Sequence, residues 1–247
     1  MAWPDTAAFL ACAFAAEVVG TMAGFGAATV LTPVAALFMD MRTAIALVAV
    51  FHLFGNASRL VYFGRQINWR VWAMFGLAAI TCSVLGAGLT AALPSAALLF
   101  AFGLFLLLYV GVSVRFGERL RLPVAQGTLL IGGMVSGLIA GLLGTGGAIR
   151  SACLLAFGLP PAAYIGTSAA IALIVDATRL PIYLRAHLLP SSWLPLLGAL
   201  VVVAFAGAWT GQRLVRRLST TGFRRLVLVL LAVMGAKMLW EGWHGLV

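Results

Sequence analysis

Long runs of apolar residues, separated by short polar connections, make up most of this chain. Several runs reach the roughly 20 residues that an α-helix needs to cross a hydrocarbon core about 30 Å thick. Six of them have an ordinary length and lie near residues 43–64, 70–93, 95–114, 161–184, 190–213 and 221–243. Strands of about ten alternating residues, the signature of an outer-membrane barrel, do not occur. The pattern therefore predicts an all-α polytopic membrane protein.

Two further apolar stretches, near 6–39 and 126–158, are too long for one simple span. A helix of about 33 residues would measure roughly 50 Å, well beyond the hydrocarbon core. Each stretch carries glycines near its middle, namely Gly24, Gly26, Gly144, Gly146 and Gly147. Because glycine permits non-helical dihedrals, we expect each stretch to form two short helices that meet inside the membrane as a re-entrant hairpin.

These glycines also admit a simpler interpretation. Gly20 and Gly24, like Gly137 and Gly141, have the GxxxG spacing that lets membrane helices pack closely. On that reading each stretch is a single tilted helix.

The two halves of the chain repeat one pattern. A shift of 120 residues aligns 24–26 with 144–146 and 56–60 with 176–180, and an insertion of four residues later raises the offset to 124. We expect a first repeat at 1–120 and a second at 121–247 within one transmembrane domain. Each repeat consists of a broken hairpin followed by three transmembrane helices.

The distribution of Arg and Lys separates two topologies. If every stretch crosses, the repeats are parallel and the connections carry seven basic residues on one side against six on the other. If both broken stretches return to their starting side, the second repeat is inverted and the count becomes ten against three, which obeys the positive-inside rule. The ten residues are Arg65, Arg70, Arg115, Arg119, Arg121, Arg213, Arg216, Arg217, Arg224 and Arg225. We therefore predict two inverted repeats in the cell inner membrane, with the basic side cytoplasmic and both termini outside.

Composition excludes other classes of protein. With 63% hydrophobic and 9% charged residues, the chain is not a soluble domain. The net charge of +10 would suggest nucleic-acid binding in a soluble protein, but here the basic residues lie in short connections, so no nucleic-acid partner is expected. The three cysteines are scattered, which indicates neither a metal site nor a disulfide framework. Motifs of hydrolases and nucleotide-binding enzymes are missing, so no enzyme is predicted.

Two arginines in apolar spans are the first candidates for chemistry. Arg59 and Arg179 occupy matching positions of the two repeats and are expected to approach each other in one wet pocket. A guanidinium at membrane depth costs at least about 2.5–3.5 kcal/mol unless a counter-charge or a water-filled cavity receives it. Its fork of donors suits a sulfonate, sulfite, phosphate or carboxylate. The alternatives are that both side chains reach the membrane surface, or that Arg179 merely pairs with Asp176.

The glycine breaks supply further candidates for anion binding. The N-terminus of a half-helix exposes unpaired N–H groups and carries about half a positive charge. Arg150 follows the second break by three residues and has an apolar counterpart, Val30, so it makes the site asymmetric unless it only closes a helix end at the surface. The predicted substrate-binding residues near the breaks and on the arginine-bearing helices are Gly24, Phe25, Gly26, Gly144, Thr145, Gly146, Gly147, Asn56, Ser58 and Thr178.

Glu17, Asp176 and His52 are titratable groups in apolar surroundings. Burial favours the neutral form of each, so any of them is a candidate for proton coupling. For the two acids, a role as counter-ion to an arginine is equally open. For His52 the alternative is a hydrogen-bonded core histidine.

The glycine-rich segments 20–26, read as GTMAGFG and followed by Pro33, and 141–147, read as GLLGTGG, resemble those of the TauE/SafE family of sulfite exporters and related anion permeases. The resemblance implies transport of sulfite, a sulfonate, sulfoacetate or another small organic anion, driven by the proton gradient and without a bound cofactor. We therefore predict a secondary transporter of a small sulfur-containing anion whose partners are that substrate and the lipid bilayer, with a homodimer left open. The alternatives are an anion channel, a permease for small organic carboxylates, and a non-transporting membrane scaffold or sensor.

Overall fold

A computed structural model describes residues 3–23, 26–117, 122–214 and 220–247 of the chain. These ranges form ten α-helices and no strand, which confirms the all-α prediction. The helices are α1 (Trp3–Ala23), α2 (Ala28–Ala35), α3 (Met41–Phe63), α4 (Trp69–Ala92), α5 (Ser95–Arg115), α6 (Gln126–Leu143), α7 (Gly147–Ala156), α8 (Pro161–Arg185), α9 (Leu194–Leu214) and α10 (Thr220–His244). Four of the basic residues used for topology, Arg119, Arg121, Arg216 and Arg217, lie outside the described residues, as does the side chain of Arg224.

Seven segments of the described chain are long and apolar enough to cross a membrane. They are Met41–Gln66, Trp69–Ala92, Ser95–Arg115, Gln126–Leu143, Pro161–Arg185, Ser191–Leu214 and Val227–His244. Six of them agree with the six ordinary spans expected from the sequence, and the seventh is α6. The prediction of a multi-pass membrane protein is therefore confirmed.

Both long apolar stretches are broken at their glycines. The first helix ends at Ala23 and the next begins at Ala28, while the second break lies between Leu143 and Gly147. Gly26 has φ +88° and Gly144 has φ +79°, a left-handed conformation that side chains rarely adopt. The glycines at these two positions therefore end one helix and turn the chain towards the next.

After each break the chain folds back along the helix that precedes it. In the first half, the rings of Phe9 on α1 and Phe38 beyond α2 lie 5.6 Å apart. In the second half, Cys153 on α7 packs against Gly132 on α6. Each short arm thus returns towards the end where its long arm began, as a re-entrant hairpin does. We call α1–α2 and α6–α7 the first and second hairpins.

The GxxxG glycines also serve packing. Gly137 and Gly141 on α6 lie directly against the backbone of α4 at Ala79 and Ser83, and a side chain at either position would collide with it. The tilted-helix interpretation was thus correct about close packing and wrong about an unbroken helix.

The helices of one half pack against those of the other. The main contacts pair α4 with α6, α1 with α9, α3 with α8, and α5 with α10. The last two pairs join equivalent helices and run antiparallel: Phe63 at the end of α3 meets Gly166 near the start of α8, and Phe100 near the start of α5 meets Gly242 near the end of α10. Consequently α3 and α9 end, and α8 begins, at one end of the bundle, which we call the basic end because Arg65, Arg70 and Arg115 lie there.

Polar caps mark the starts of two spans. Asp40 accepts a hydrogen bond from the Thr43 amide at 3.0 Å, and Asn68 accepts one from the Val71 amide at 3.0 Å. Burial raises the pKa of the Asp40 carboxyl, but hydrogen bonds from Ser95 and from the backbone lower it more, so this pKa lies below its ordinary value. These caps place the ends of α3 and α4 and so position the residues described next.

Candidate functional site

A cavity of about 330 Å³ extends from the first hairpin to the basic end of the bundle. Its wall is built by the first hairpin, α3, α7, α8 and α9. The lining residues are Gly20, Thr21, Gly26, Asn56, Arg59, Phe63, Arg150, Pro161, Ala162, Tyr164, Ile165, Ser168, Ala169 and Gln212. Such a volume suits a small solute, since cavities for drug-sized ligands begin at about 300 Å³.

Arg59 is held at the wall of this cavity by three side chains. Its guanidinium forms a buried salt bridge with Glu17 and donates to Thr21 Oγ1 at 2.7 Å and to Asn56 Oδ1 at 2.9 Å. The carboxylate of Glu17 on α1 can lie this close to α3 because α3 has Gly55 facing it, where a Cβ would lie 3.0 Å from Glu17 Oε1. Arg59 is 7% exposed, so the alternative that its side chain reaches the membrane surface is wrong.

A chain of polar contacts continues from Asn56 into the second repeat. Asn56 donates to the backbone oxygen of His52 at 2.8 Å, and His52 Nδ1 lies 2.8 Å from Asp176 Oδ2. Because an ionised carboxylate only accepts, we assign the proton to Nδ1. Nε2 of His52 is then a buried acceptor without a partner, and a Cβ built on Gly26 would lie 2.7 Å from it.

Arg179 is 1% exposed and does not line the cavity. It donates to Asp176 Oδ1 from Nε at 3.0 Å and from Nη2 at 2.7 Å, and also to the backbone oxygens of Ala140 and Gly144. The expectation that Arg59 and Arg179 open into one pocket is therefore wrong, because Arg179 donates to Asp176 and to backbone oxygens of α6 and its C-cap instead. The pairing with Asp176 that the sequence left open is present.

Arg150 is the third buried guanidinium, and its surroundings differ from those of the other two. It is 5% exposed, lines the cavity, and donates from Nε to Ser168 Oγ at 2.9 Å. Within the described part of the chain, no carboxylate lies within 4.0 Å of it. The alternative that Arg150 closes a helix end at the surface is therefore wrong.

The tips of the two hairpins meet in the interior. The hydroxyls of Thr29 and Thr145 lie 2.6 Å apart, and Ser136 donates to the backbone oxygen of Gly146 at 2.8 Å. Among the predicted residues at the breaks, Gly26 lines the cavity, while the second-half residues Gly144, Thr145, Gly146 and Gly147 are buried and do not. Gly24 and Phe25 lie outside the described residues.

The remaining predicted residues lie beside the polar chain rather than in the cavity wall. Thr178 donates to the backbone oxygen of Ile174 at 2.6 Å, as hydroxyls on membrane helices often do. Ser58 is buried outside the wall. Glu17 and His52 contact the wall residues Arg59 and Asn56 without lining the cavity themselves, whereas Asp176 contacts His52 and Arg179, which lie behind the wall. In the described ranges, no group of three or more His, Cys, Asp or Glu is arranged to hold a metal ion.

Thr21, Tyr164 and Gln212 line the cavity but were not identified from the sequence as substrate-binding residues. Gln212 is the most informative of them, because its Nε2 is buried without a partner. A lone glutamine beside Gly211 in an apolar span was the available signal. Without knowledge that α9 passes the first hairpin, that signal did not point to a site.

Comparison with known proteins gives one match. A family model described as sulfite exporter TauE/SafE matches residues 9–238. No curated protein and no solved structure showed significant similarity to the chain.

Proposed function

Because the chain belongs to the sulfite exporter TauE/SafE family, we propose that it is a secondary transporter that carries a small sulfur-containing anion through the cavity and is coupled to protons. The family is one of membrane transporters of the sulfite-exporter type. The anion class, the coupling and the orientation are the proposed parts.

The observation that supports the proposal most is that Arg150 is buried at the cavity wall with no described carboxylate within 4.0 Å. A buried guanidinium without a counter-ion is costly, and an anion in the cavity removes most of that cost. Arg59, Asn56, Ser168 and Gln212 line the same cavity and supply further donors. Hydrogen bonds from ionised groups to oxyanions are roughly twice as strong as neutral ones, so a sulfite or sulfonate head group fits this lining.

Comparison of the two repeats supports alternating access. We call positions 120 residues apart mirrored positions. The cavity-lining residues Gly20, Arg59, Phe63, Tyr164, Ile165 and Ser168 have the mirrored positions Ala140, Arg179, Tyr183, Ala44, Ile45 and Val48. All six mirrored residues are buried, with exposures of 6% or less. Each repeat contributes three of the six lining residues and three of the six buried ones, so the cavity side is open and its mirrored side is packed, the asymmetry expected of inverted repeats in one state of a carrier.

We propose that the repeats are inverted and that the basic end faces the cytoplasm. The antiparallel packing of α3 with α8 and of α5 with α10 supports the inversion, since these are equivalent helices. The concentration of arginines at the basic end supports the orientation, with both termini outside the inner membrane. The cavity then opens inward.

His52 is our candidate for the proton acceptor. Protonation of Glu17 or Asp176 would weaken a salt bridge with an arginine, although Oε2 of Glu17 is itself buried without a partner. His52 Nε2 is also buried without a partner, and its protonation breaks no salt bridge to an arginine. Gly26, which lines the cavity, lies against Nε2 and connects it to the transport route. Protonation of His52 would leave its contact with Asp176 intact, since Nδ1 already donates there.

Counterflow in liposomes tests the proposal. Purified protein is reconstituted, loaded with unlabelled sulfite, and diluted into a trace of radiolabelled sulfite. A carrier gives a transient overshoot of internal label, because a loaded carrier returns faster than an empty one. Arg150→Gln should abolish the overshoot, whereas Arg185→Gln, an exposed arginine at the opposite end of α8, should retain it.

Other outcomes would favour the alternatives. Flux without an overshoot would favour an anion channel. An overshoot with a small carboxylate but not with sulfite or sulfonates would favour a carboxylate permease. Absence of both flux and anion binding, with the protein folded, would favour a scaffold or sensor.

A further inference from the structure

The buried charges around the cavity do not balance. Three guanidiniums, those of Arg59, Arg150 and Arg179, are buried together with two carboxylates, those of Glu17 and Asp176. With His52 counted as neutral, the described buried side chains carry one excess positive charge. This excess is a property of the folded chain, because each carboxylate is already engaged by a specific arginine.

The excess charge is located at one residue. Glu17 neutralises Arg59, and Asp176 neutralises Arg179 while also contacting His52. Within the described ranges, Arg150 donates to the hydroxyl of Ser168, and no carboxylate lies within 4.0 Å of its guanidinium. The unpaired charge therefore faces the cavity instead of being hidden in the packed interior.

From this balance we infer that the site is built for a monoanion, and that Arg150 determines this valence. The inference rests on the proposed function and narrows its substrate class. One negative charge in the cavity neutralises the buried cluster. While His52 is neutral, a second negative charge would lie in a low-dielectric site with no further buried cation among the described side chains, where burial of an unpaired charge is unfavourable. Bisulfite and simple monosulfonates fit this requirement, whereas the dianions sulfite and sulfoacetate do not.

A matched pair of probes tests the valence directly. Methanesulfonate and methanedisulfonate share one head group and keep charges of one and two throughout the neutral pH range. Binding of each to the purified full-length chain is measured by isothermal titration calorimetry at equal ionic strength, because screening depends on ionic strength. We expect methanesulfonate to bind at least about tenfold more tightly than methanedisulfonate, a difference of about 1.4 kcal/mol.

Variants connect the preference to Arg150. Arg150→Gln should lose the binding of methanesulfonate, and Arg150→Lys, which keeps the charge, should retain the preference for it. Glu17→Gln adds one more excess positive charge beside the cavity and should shift the preference towards methanedisulfonate. Because this test measures a gain of dianion binding in Glu17→Gln, it remains informative even if the Arg150 variants do not fold. Arg185→Gln, far from the cavity, should match the unmodified protein.

Each possible result either supports or overturns the inference of a monoanion site. Tighter binding of methanesulfonate, with reversal or levelling in Glu17→Gln, supports the inference. Equal or tighter binding of methanedisulfonate by the unmodified chain overturns it, although counterflow with sulfite would then still uphold the proposed transport function. If neither probe binds, the valence inference fails, and the proposed function fails with it only if counterflow is also absent.

Discussion

The two buried arginine–carboxylate pairs provide a matched experiment, because Arg59 and Arg179 occupy mirrored positions in different surroundings. We consider Glu17→Gln, which removes the partner of Arg59 beside the cavity. We compare it with Asp176→Asn, which removes the partner of Arg179 in the packed half. Both changes keep the size of the side chain and remove one negative charge. The difference between them therefore reports what the cavity does for an unpaired guanidinium.

The size of the expected loss of stability follows from how deeply each ion pair is buried. Removing one partner of a buried pair costs about 3–5 kcal/mol, because the other charge stays buried without compensation. At about 2–4 °C per kcal/mol for a chain of this size, Asp176→Asn should lower the melting temperature by roughly 6–20 °C. Arg179 is 1% exposed and has no access to the cavity, so solvent cannot replace the lost carboxylate. Arg59 lines the cavity, where water or an anion can reach it, and Glu17→Gln should cost about half as much or less.

Thermal unfolding of the purified protein, followed by tryptophan fluorescence in detergent, measures both effects. Saturating methanesulfonate at about 100 times its Kd stabilises a protein by about 2.7 kcal/mol. We expect the anion to raise the melting temperature of Glu17→Gln by more than that of the unmodified chain, because the anion also compensates the guanidinium of Arg59 that has lost its partner. Asp176→Asn should recover no more than the unmodified chain gains.

Two controls accompany this experiment. Glu241→Gln removes an exposed salt bridge with Lys237 and should change the melting temperature by less than about 3 °C. The double variant Asp176→Asn/Arg179→Gln removes both charges and should recover much of the loss seen with Asp176→Asn alone. Equal losses for Glu17→Gln and Asp176→Asn, or equal rescue of both by the anion, would refute the reasoning that only Arg59 has access to the cavity.

Three further predictions concern packing, the closed half and a helix cap. Gly137→Leu should prevent folding or lower the melting temperature strongly, because the new side chain meets the backbone of Ala79; the yield of monodisperse protein in size-exclusion chromatography measures this. Tyr183→Phe removes a buried hydrogen bond to the Gly141 oxygen and should cost about 1 kcal/mol, read as a fall of about 2–4 °C in the melting temperature. Asp40→Ala removes the cap of α3 and should also cost about 1 kcal/mol. Because the pKa of Asp40 is lowered by folding, its contribution is present above its ordinary value of 3.8 and is lost as the pH falls below that value, so the two proteins should converge in acid.

Each of these changes has a matched control in the chain. Gly127 on α6 has no atom near its Cβ position, so Gly127→Leu should be tolerated, and failure of both variants would contradict the packing explanation. Tyr62 is 60% exposed, so a loss from Tyr62→Phe as large as that from Tyr183→Phe would contradict the role of the buried hydroxyl. For Asp40→Ala, a difference from the unmodified chain that persists at pH 2 would show that the carboxylate charge is not its source.

The helices, their ends and the two breaks were predictable because they depend on local properties. Spans of about twenty apolar residues are set by the thickness of the bilayer, and the positions of Gly26 and Gly144 are set by the conformations that only glycine adopts easily. The repeated sequence pattern was also visible in the sequence itself, since mirrored positions such as Arg59 and Arg179 carry the same residue. The candidates for charge chemistry were found for the same reason: in an apolar span, each ionisable residue stands out.

Tertiary structure decided which of these charges are paired. Glu17 and Arg59 are 42 residues apart, and His52 and Asp176 are 124 apart, so neither contact has a local signal. The absence of any described carboxylate within 4.0 Å of Arg150 is equally non-local. It depends on where α7 lies after the chain turns at the second break.

Tertiary structure also decided which of the two sets of mirrored positions lines an open cavity. The two repeats have the same order of elements and an arginine at mirrored positions, so the sequence alone gives no reason to expect different surroundings for Arg59 and Arg179. Packing separates them: α6 covers Arg179 with backbone oxygens, whereas the cavity reaches Arg59 from the basic end. Local composition determines that a charge is buried, but only the arrangement of distant helices around it determines whether that charge is satisfied by the protein or left for a ligand.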